Sequence, residues 1–226
     1  MPKLNEILSP SFKDFHHTSD HHPMIQVAYD SDLCQEVIAK GWLSEAQMRH
    51  AAERYRLDRS RSGKCIYWMM DEMMQVRDGH LGDMWVSQLL KAREPELLRW
   101  FLPRHCLFGL HLLGVADGKR SVCVVESERS AVVLSEQFPE SIWMAYAYPA
   151  NMTPDLLEPM QGQTVTIYPR TDPTMDTYLS FLELADSVRR LYPSIDLAID
   201  TTLEDHASDS QKDRCIDLLE FLLDYD

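Results

Sequence analysis

The chain has 226 residues, of which 45% are hydrophobic and 26% charged, and a formal net charge of −14, a composition typical of a globular protein with one large or two modest domains. No apolar run approaches the roughly 20 residues needed to cross a bilayer, and the N-terminal segment lacks the features of a signal peptide. Five scattered cysteines without CxxC spacing predict neither a zinc site nor a disulfide framework, so we expect a cytoplasmic protein with no membrane partner.

Residues 1–30 show little periodicity and are predicted to form a flexible leader. The leader contains four histidines within seven residues, namely His16, His17, His21 and His22. Such a tract can chelate a divalent metal adventitiously, but at a terminus it is more often simply exposed. No functional metal site is predicted there.

Residues 31–115 are predicted to form a small α+β N-terminal lobe. A helix is expected over Asp32–Lys40 with Ser31 as its N-cap. A second helix is expected over Ser44–Tyr55, because its first residues spell a capping box. Further along, two short helices are predicted over Trp85–Ala92 and Glu96–Leu102.

A β-hairpin is predicted between these pairs of helices. The apolar run Cys65–Met70 is expected to be a buried strand, Asp71 and Glu72 a turn, and Met73–Val76 the returning strand. The methionines at positions 69, 70, 73 and 74 are interpreted as core filler, because Met fits irregular gaps.

Residues 49–64, which run from within the second helix to the start of the hairpin, form a locally basic segment. It carries six cations and only two acids, Glu53 and Asp58. If the chain binds nucleic acid, this segment is the candidate surface; the alternative is a solvated helix end that runs into a loop. The candidate contacts are Arg49, Arg54, Arg56, Arg59, Arg61 and Lys64, together with the aromatic residues Tyr55, Tyr67 and Trp68, on which bases could stack.

Residues 116–226 alternate predicted strands with predicted helices. Strands are expected over Ser121–Val125, Ser141–Ala145, Thr164–Tyr168 and Ile195–Ile199, and helices over Ser127–Phe138, Thr153–Met160, Met175–Leu191 and Asp213–Leu223. This alternation predicts β-α-β crossovers and a mostly parallel sheet with helices on both faces. Ligands of such sheets collect at the carboxyl ends of the strands, where the sequence places Glu126, Ala147–Asn151, Arg170–Asp172 and Asp200.

Several segments together resemble a known family. Val122–Ala131, an apolar strand that ends in a glutamate and passes through a polar turn into a helix, resembles the first motif of the Toprim domain. Upstream, Tyr55–Leu57, Ile66–Glu72 and Cys106–Leu113 resemble segments of the primase-like, Toprim-containing proteins of bacterial mobile elements. The likeness covers about residues 42–223.

The resemblance implies a Rossmann-like fold and metal-dependent chemistry on nucleic acid. In the family, an acid at the end of the first strand acts as a general acid/base or metal ligand, and an Asp-x-Asp pair after the third strand holds Mg²⁺. Glu126 matches the acid. The Asp-x-Asp pair falls on Arg170-Thr171-Asp172, so an arginine replaces its first aspartate, and a guanidinium repels a cation.

Two interpretations of these residues stay open. Either Glu126 and Asp172 are catalytic residues that bind Mg²⁺, or Glu126 has a structural role and Asp172 is an ordinary turn residue before Pro173. In the structural role, Glu126 caps the following helix or pairs with Arg170, which then replaces the metal. Asp176 and Asp200 are possible substitute ligands. We favour the ion pair and expect no cofactor.

The resulting prediction is a Toprim-like, primase-related protein with a degenerate metal site, which binds single-stranded nucleic acid or a replication or mobilisation protein. An active Mg²⁺-dependent primase-like nucleotidyl transferase or nuclease, and a protein-interaction factor without enzyme activity, are the alternatives. Residues 121–226 carry 6 Lys and Arg against 20 Asp and Glu, which disfavours a broad phosphate-binding surface there. Nucleic-acid binding is therefore assigned to the basic segment.

Overall fold

A computed structural model describes residues 26–93, 95, 98, 105–115, 120–148 and 152–224. The chain divides into two compact units, Met1–Gly114 and Val115–Asp226, one residue before the predicted boundary. No helix within the described residues is both long and apolar enough to cross a membrane.

The first two helices of the N-terminal unit confirm the sequence prediction. Helix α1 spans Asp32–Ala39, and the Ser31 hydroxyl accepts a hydrogen bond from the Cys34 backbone N–H. Helix α2 spans Glu45–Tyr55 and opens with the complete capping box, in which Ser44 and Gln47 satisfy each other's backbone N–H groups. These caps fix where both helices begin.

Four antiparallel strands form the sheet of the N-terminal unit, in the order β1-β2-β3-β4. They span Asp58–Arg59, Cys65–Met70, Val76–Leu81 and Met84–Trp85. The hairpin is confirmed, but the returning strand begins at Val76 rather than at Met73. The Asp71 carboxylate accepts hydrogen bonds from the backbone N–H groups of Met73 and Gln75, and this enlarged turn takes up the residues that were predicted to be strand.

The core of this unit lies under strand β2. Trp68 packs against Gly79, where an added Cβ would lie 2.7 Å from the indole ring, so only glycine fits there. Met69 and Met70 are buried as predicted, whereas Met73 is 66% exposed. The core-filler interpretation is therefore wrong for Met73, which lies in the enlarged turn.

Helix α3 spans Val86–Arg93, in agreement with the predicted helix. The second predicted helix, Glu96–Leu102, lies outside the described residues apart from Leu98. A short helix α4, Leu112–Val115, follows at the boundary between the two units.

The end of the predicted leader is part of the folded unit. The Ala28 backbone N–H donates to the Leu57 carbonyl at 2.9 Å, and the Tyr29 hydroxyl donates to the Glu53 carboxylate at 2.8 Å. The prediction of a flexible leader is therefore wrong for residues 26–30. Residues 1–25, with the four histidines, lie outside the described residues.

The C-terminal unit contains the predicted parallel sheet. All four strands are parallel in the order β6-β5-β7-β8, and helices flank the sheet. The strands span Val122–Val125 (β5), Ile142–Ala145 (β6), Thr164–Ile167 (β7) and Asp196–Ile199 (β8). The two longest helices are α5, Glu128–Gln137, and α6, Asp176–Leu191. The predicted α/β class is confirmed.

The predicted helix Thr153–Met160 differs in kind from the observed element. Pro154–Met160 is a 3₁₀ helix with Pro159 inside it, and Thr153 makes no side-chain cap. Proline cannot donate the backbone hydrogen bond that an α-helix requires in its interior, which accounts for the difference.

The predicted closing helix Asp213–Leu223 is interrupted. After the short helix α7, Thr202–His206, the chain forms α8, Asp209–Asp213, and α9, Leu218–Leu223. Asp217 caps α9 through the Glu220 N–H and also accepts a hydrogen bond from Ser130 of α5. Because Asp217 accepts hydrogen bonds from both donors, it fixes the start of a new helix. The apolar periodicity alone does not reveal this start.

Candidate functional site

Three strand ends of the C-terminal unit lie at one edge of the parallel sheet. Glu126 follows β5, Tyr146 follows β6, and Arg170 follows β7. The backbone ties the first two ends together, because the Ala147 N–H donates to the Glu126 carbonyl at 2.9 Å. The sheet therefore brings together a carboxyl, a phenol and a guanidinium at the edge where parallel sheets bind ligands.

Ala147 adopts a left-handed backbone conformation at this edge, with a φ of 65°. Glycine enters this region without steric cost, whereas alanine pays about 1 kcal/mol. The turn therefore has the backbone shape that a glycine would favour, although the sequence supplies none there.

The predicted ion pair between Glu126 and Arg170 is formed. Nη1 of Arg170 lies 3.4 Å from Oε1 of Glu126, and the two side chains are 38% and 14% exposed. This separation is longer than that of a bidentate arginine–carboxylate contact. The guanidinium therefore lies beside the acid that the resemblance assigns to metal chemistry.

Burial raises the pKa of Glu126 to about 7, although the positive charge of Arg170 opposes the shift. The negative charges of three further carboxyl groups also raise the pKa of Glu126 by repulsion, namely Asp217, Glu128 and Glu220. A carboxyl that titrates near neutral pH can both accept and release a proton there. Within this cluster, burial also raises the pKa of Asp217.

Buried polar atoms without partners surround this pair. Within the described residues, Arg170 Nε and Thr171 Oγ1 are buried and make no hydrogen bond. Burial, followed by the charge of Glu126, raises the pKa of Tyr146. Buried polar groups are normally satisfied, so these atoms retain capacity to bind water or a polar ligand.

The Asp172 side chain accepts hydrogen bonds at the start of helix α6. Its carboxylate accepts hydrogen bonds from the backbone N–H groups of Thr174, Asp176 and Thr177, and from the Thr174 hydroxyl. Although burial opposes them, the bonds from Thr174 and Thr177 hold the pKa of Asp172 well below its usual range. This geometry agrees with the interpretation of Asp172 as a turn residue.

The cluster does not fit Mg²⁺. Across the part of the chain that the structure describes, no three His, Cys, Asp or Glu side chains are grouped so that they could hold a metal ion. The positively charged guanidinium of Arg170 lies 3.4 Å from the Glu126 carboxylate, and the Asp172 carboxylate accepts backbone hydrogen bonds at the start of helix α6. Asp200 accepts a hydrogen bond from the Thr202 N–H at 2.8 Å, and Asp176 is exposed.

A groove of about 590 Å³ lies in the N-terminal unit, within the size range of small-ligand sites. It is lined by residues 26–30, by residues 58–61 and by Arg49. The groove therefore collects three of the predicted nucleic-acid contacts, Arg49, Arg59 and Arg61, on one surface.

The ion pairs of these arginines are exposed. Arg49 lies 3.5 Å from Glu45, and Arg59 lies 3.0 Å from Asp30, with arginine side chains that are 54% and 44% exposed. Within the described residues, Arg61 is exposed and has no carboxylate partner. Exposed pairs contribute little free energy, so a phosphate can replace either carboxylate at small cost.

The other predicted contacts do not line the groove. Arg54 is half-buried, with Nη2 3.5 Å from Nδ1 of His50, while Arg56 and Lys64 are exposed outside it. Tyr55 is fully buried and stacks on Phe108 at 5.0 Å between ring centroids.

The predicted stacking role is wrong for Tyr55 and Trp68, because both side chains are buried. Tyr55 is enclosed in the core, and Trp68 is buried with its indole N–H on Asp58 at 3.3 Å. Tyr67 is half-buried and packs edge-on against Phe108. Among the described residues that line the groove, the aromatic one is Tyr29, which is not among the predicted contacts. The short run Val27-Ala28-Tyr29 is the signal in the sequence, and it lies within the predicted leader.

Fold and sites together define a two-unit α/β protein with a basic groove in one unit and an acid–arginine cluster at the strand ends of the other. The chain belongs to the family DUF6371, a domain of unknown function, whose sequence profile matches residues 33–171. The matched region includes Glu126 and Arg170 as well as Arg49–Lys64. No curated protein and no solved structure matches the chain.

Proposed function

We propose that the protein binds single-stranded nucleic acid through the groove of its N-terminal unit, without using a metal ion. The observation that carries the proposal is the placement of Arg49, Arg59 and Arg61 around one groove of about 590 Å³. Guanidinium groups bind phosphate oxygens through planar pairs of hydrogen bonds, and the release of counterions from the nucleic acid drives such binding.

The form of the groove favours a single strand over a duplex. Its walls combine three guanidinium groups with an aromatic ring, the small apolar side chains of Val27 and Ala28, and the two carboxylates of Asp30 and Asp58, so the lining carries a formal charge of +1. A positively charged channel with an aromatic platform suits a strand whose bases are unstacked. A duplex keeps its bases paired inside and offers only its backbone to such a groove.

The C-terminal unit is part of the proposal as a Toprim-like module with a degenerate metal site. Its support is the Glu126–Arg170 ion pair at 3.4 Å and the hydrogen bonds that the Asp172 carboxylate accepts from the first backbone N–H groups of helix α6. Such a module acts in replication or in transfer of a mobile element by binding nucleic acid or a replication protein, and not by Mg²⁺-dependent nucleotidyl transfer.

A cytoplasmic location belongs to the same proposal. All five cysteines are free thiols, and three of them are buried. Disulfides are rare in reducing compartments, so a chain whose cysteines remain unpaired suits the cytoplasm.

Charge reversal in the groove tests the proposal. Arg59→Glu with Arg61→Glu should weaken binding of a fluorescent single-stranded oligonucleotide at least tenfold. It should also reduce the slope of log affinity against log salt by roughly 1.4, because each lost phosphate contact on a single strand removes about 0.7. Fluorescence anisotropy at several salt concentrations measures both quantities.

A matched control separates the groove from general charge. Arg56→Glu with Lys64→Glu changes the net charge by the same amount within the same segment but outside the groove. Affinity that falls only for the Arg59 and Arg61 pair supports the groove. Equal losses from both double variants, or no loss from either, would contradict it.

A further inference from the structure

We propose that Tyr29 is the platform on which one unstacked base of the bound strand lies, in place of the predicted stacking residues Tyr55, Tyr67 and Trp68. This inference rests on the proposed function of the groove and names the chemistry that it recognises. Its ligand is the flat face of a nucleobase next to its own phosphates, and not a phosphate chain alone.

The position of Tyr29 carries the inference. Its ring lines the same groove as Arg59 and Arg61. By contrast, Tyr55 and Trp68 are closed into the core. Within the described residues that line the groove, Tyr29 is the one aromatic side chain, so stacking in the groove depends on it.

Two contacts hold the ring in place before any ligand arrives. The Tyr29 hydroxyl donates to the Glu53 carboxylate at 2.8 Å, and the Arg49 guanidinium lies 4.6 Å from the ring centroid in a cation–π contact. A ring fixed at both its edge and its face loses little conformational freedom on binding. The platform is therefore pre-organised.

The neighbouring charges explain why a base and its phosphate would bind together. Arg49 lies over the Tyr29 ring, and its own carboxylate partner Glu45 is an exposed residue of the preceding helical turn. Arg49 can therefore turn a donor toward a phosphate while its guanidinium plane stays against the ring. A nucleotide offers both an aromatic face and an adjoining anion, which matches this pair.

The test compares two probes of equal length and charge. One is a labelled oligothymidylate, and the other is an oligonucleotide of abasic sites. The wild-type protein should bind the base-containing probe roughly 5- to 160-fold more tightly, the range expected for one stacked base. Tyr29→Leu should remove this preference while it retains the weaker binding of the abasic probe. Tyr29→Phe, which keeps the ring, should retain most of the preference.

Controls keep the outcome decisive. Tyr178→Leu removes a half-buried tyrosine of helix α6 in the other unit and should leave the binding of both probes unchanged. Photo-crosslinking of an oligonucleotide with 5-iodouracil, followed by peptide mapping, should label Tyr29 in the wild-type protein.

The failures of the two proposals are distinguishable. Equal affinity for both probes, or a preference that survives in Tyr29→Leu, overturns the platform but leaves the arginine groove. A wild-type protein that binds neither probe overturns both.

Discussion

Glu126 should make the C-terminal unit less stable as the pH rises. Its side chain is only 14% exposed, and burial raises its pKa to about 7 from an ordinary 4.5. Between these two values the folded unit keeps a proton that the unfolded chain has lost, so the free energy of unfolding falls with increasing pH. After a discount for the solvent that reaches the carboxyl, we expect a loss of about 2 kcal/mol between roughly pH 5 and pH 8.

Native-state hydrogen exchange of the β5 amides, corrected for the intrinsic exchange rate at each pH, measures this free energy within the unit. Glu126→Gln should remove most of the pH dependence. The remainder should come from Asp217, whose pKa burial also raises. The low pKa of Asp172 affects stability only in more acidic solution, outside this window. Glu183→Gln, at an exposed position of helix α6, is the control and should keep the wild-type slope. An unchanged slope in Glu126→Gln, or stability that rises with pH, would refute the reasoning.

Three further predictions concern single side chains. Asp172→Ala removes the acceptor for three backbone N–H groups at the start of helix α6. It should lower the free energy of unfolding of the C-terminal unit, measured in urea, by about 2 kcal/mol. A decrease below about 0.5 kcal/mol would count against the role of Asp172 as hydrogen-bond acceptor for this helix. Arg170→Asp replaces the guanidinium beside Glu126 with a second carboxylate, so calorimetric titration with Mg²⁺ should detect binding that the wild-type protein lacks. Identical titrations of the two proteins would contradict the replacement of a metal by Arg170. Gly79→Ala would place a Cβ 2.7 Å from the Trp68 ring and should destabilise the N-terminal unit by about 1–3 kcal/mol. The control is Gly63→Ala, in a loop with open space at its Cβ but a positive φ of 87°, which should cost about 1 kcal/mol. The same small cost for both variants would show that the Trp68 contact is not rigid.

Much of the C-terminal unit was predictable because its signals are local. The four strands are short apolar runs, and each was placed within one residue at either end. Alternation of strands and helices then favours parallel pairing. The same reasoning placed Glu126 and Arg170 at neighbouring strand ends, and their ion pair followed from opposite charges at one edge of the sheet.

The incorrect bounds of the returning strand and of the closing helix share a physical cause, which is a side chain that hydrogen-bonds to the backbone. Asp71 enlarges the hairpin turn and delays the returning strand to Val76. Asp217 starts a new helix where the apolar periodicity runs on. These hydrogen bonds depend on backbone groups and packed neighbours that composition does not reveal.

The groove was only half predictable from the sequence. The cationic residues are close together in the chain, so the charge of the segment was visible. The wall that contains Tyr29 comes from residues about 30 positions earlier, and it is joined to the segment by the hydrogen bond from Ala28 to Leu57. Contacts between distant segments also bury Tyr55 against Phe108, which removes the stacking residue that the sequence favoured.

The central claim is that the protein binds single-stranded nucleic acid by charge and stacking in the groove, without a metal ion. The most direct measurement is fluorescence anisotropy of labelled single-stranded DNA titrated with the wild-type protein at two salt concentrations, with and without Mg²⁺. We predict binding that weakens as salt increases and that is the same with chelator as with Mg²⁺ at matched ionic strength. Binding that requires Mg²⁺, or no binding under any of these conditions, would contradict the claim.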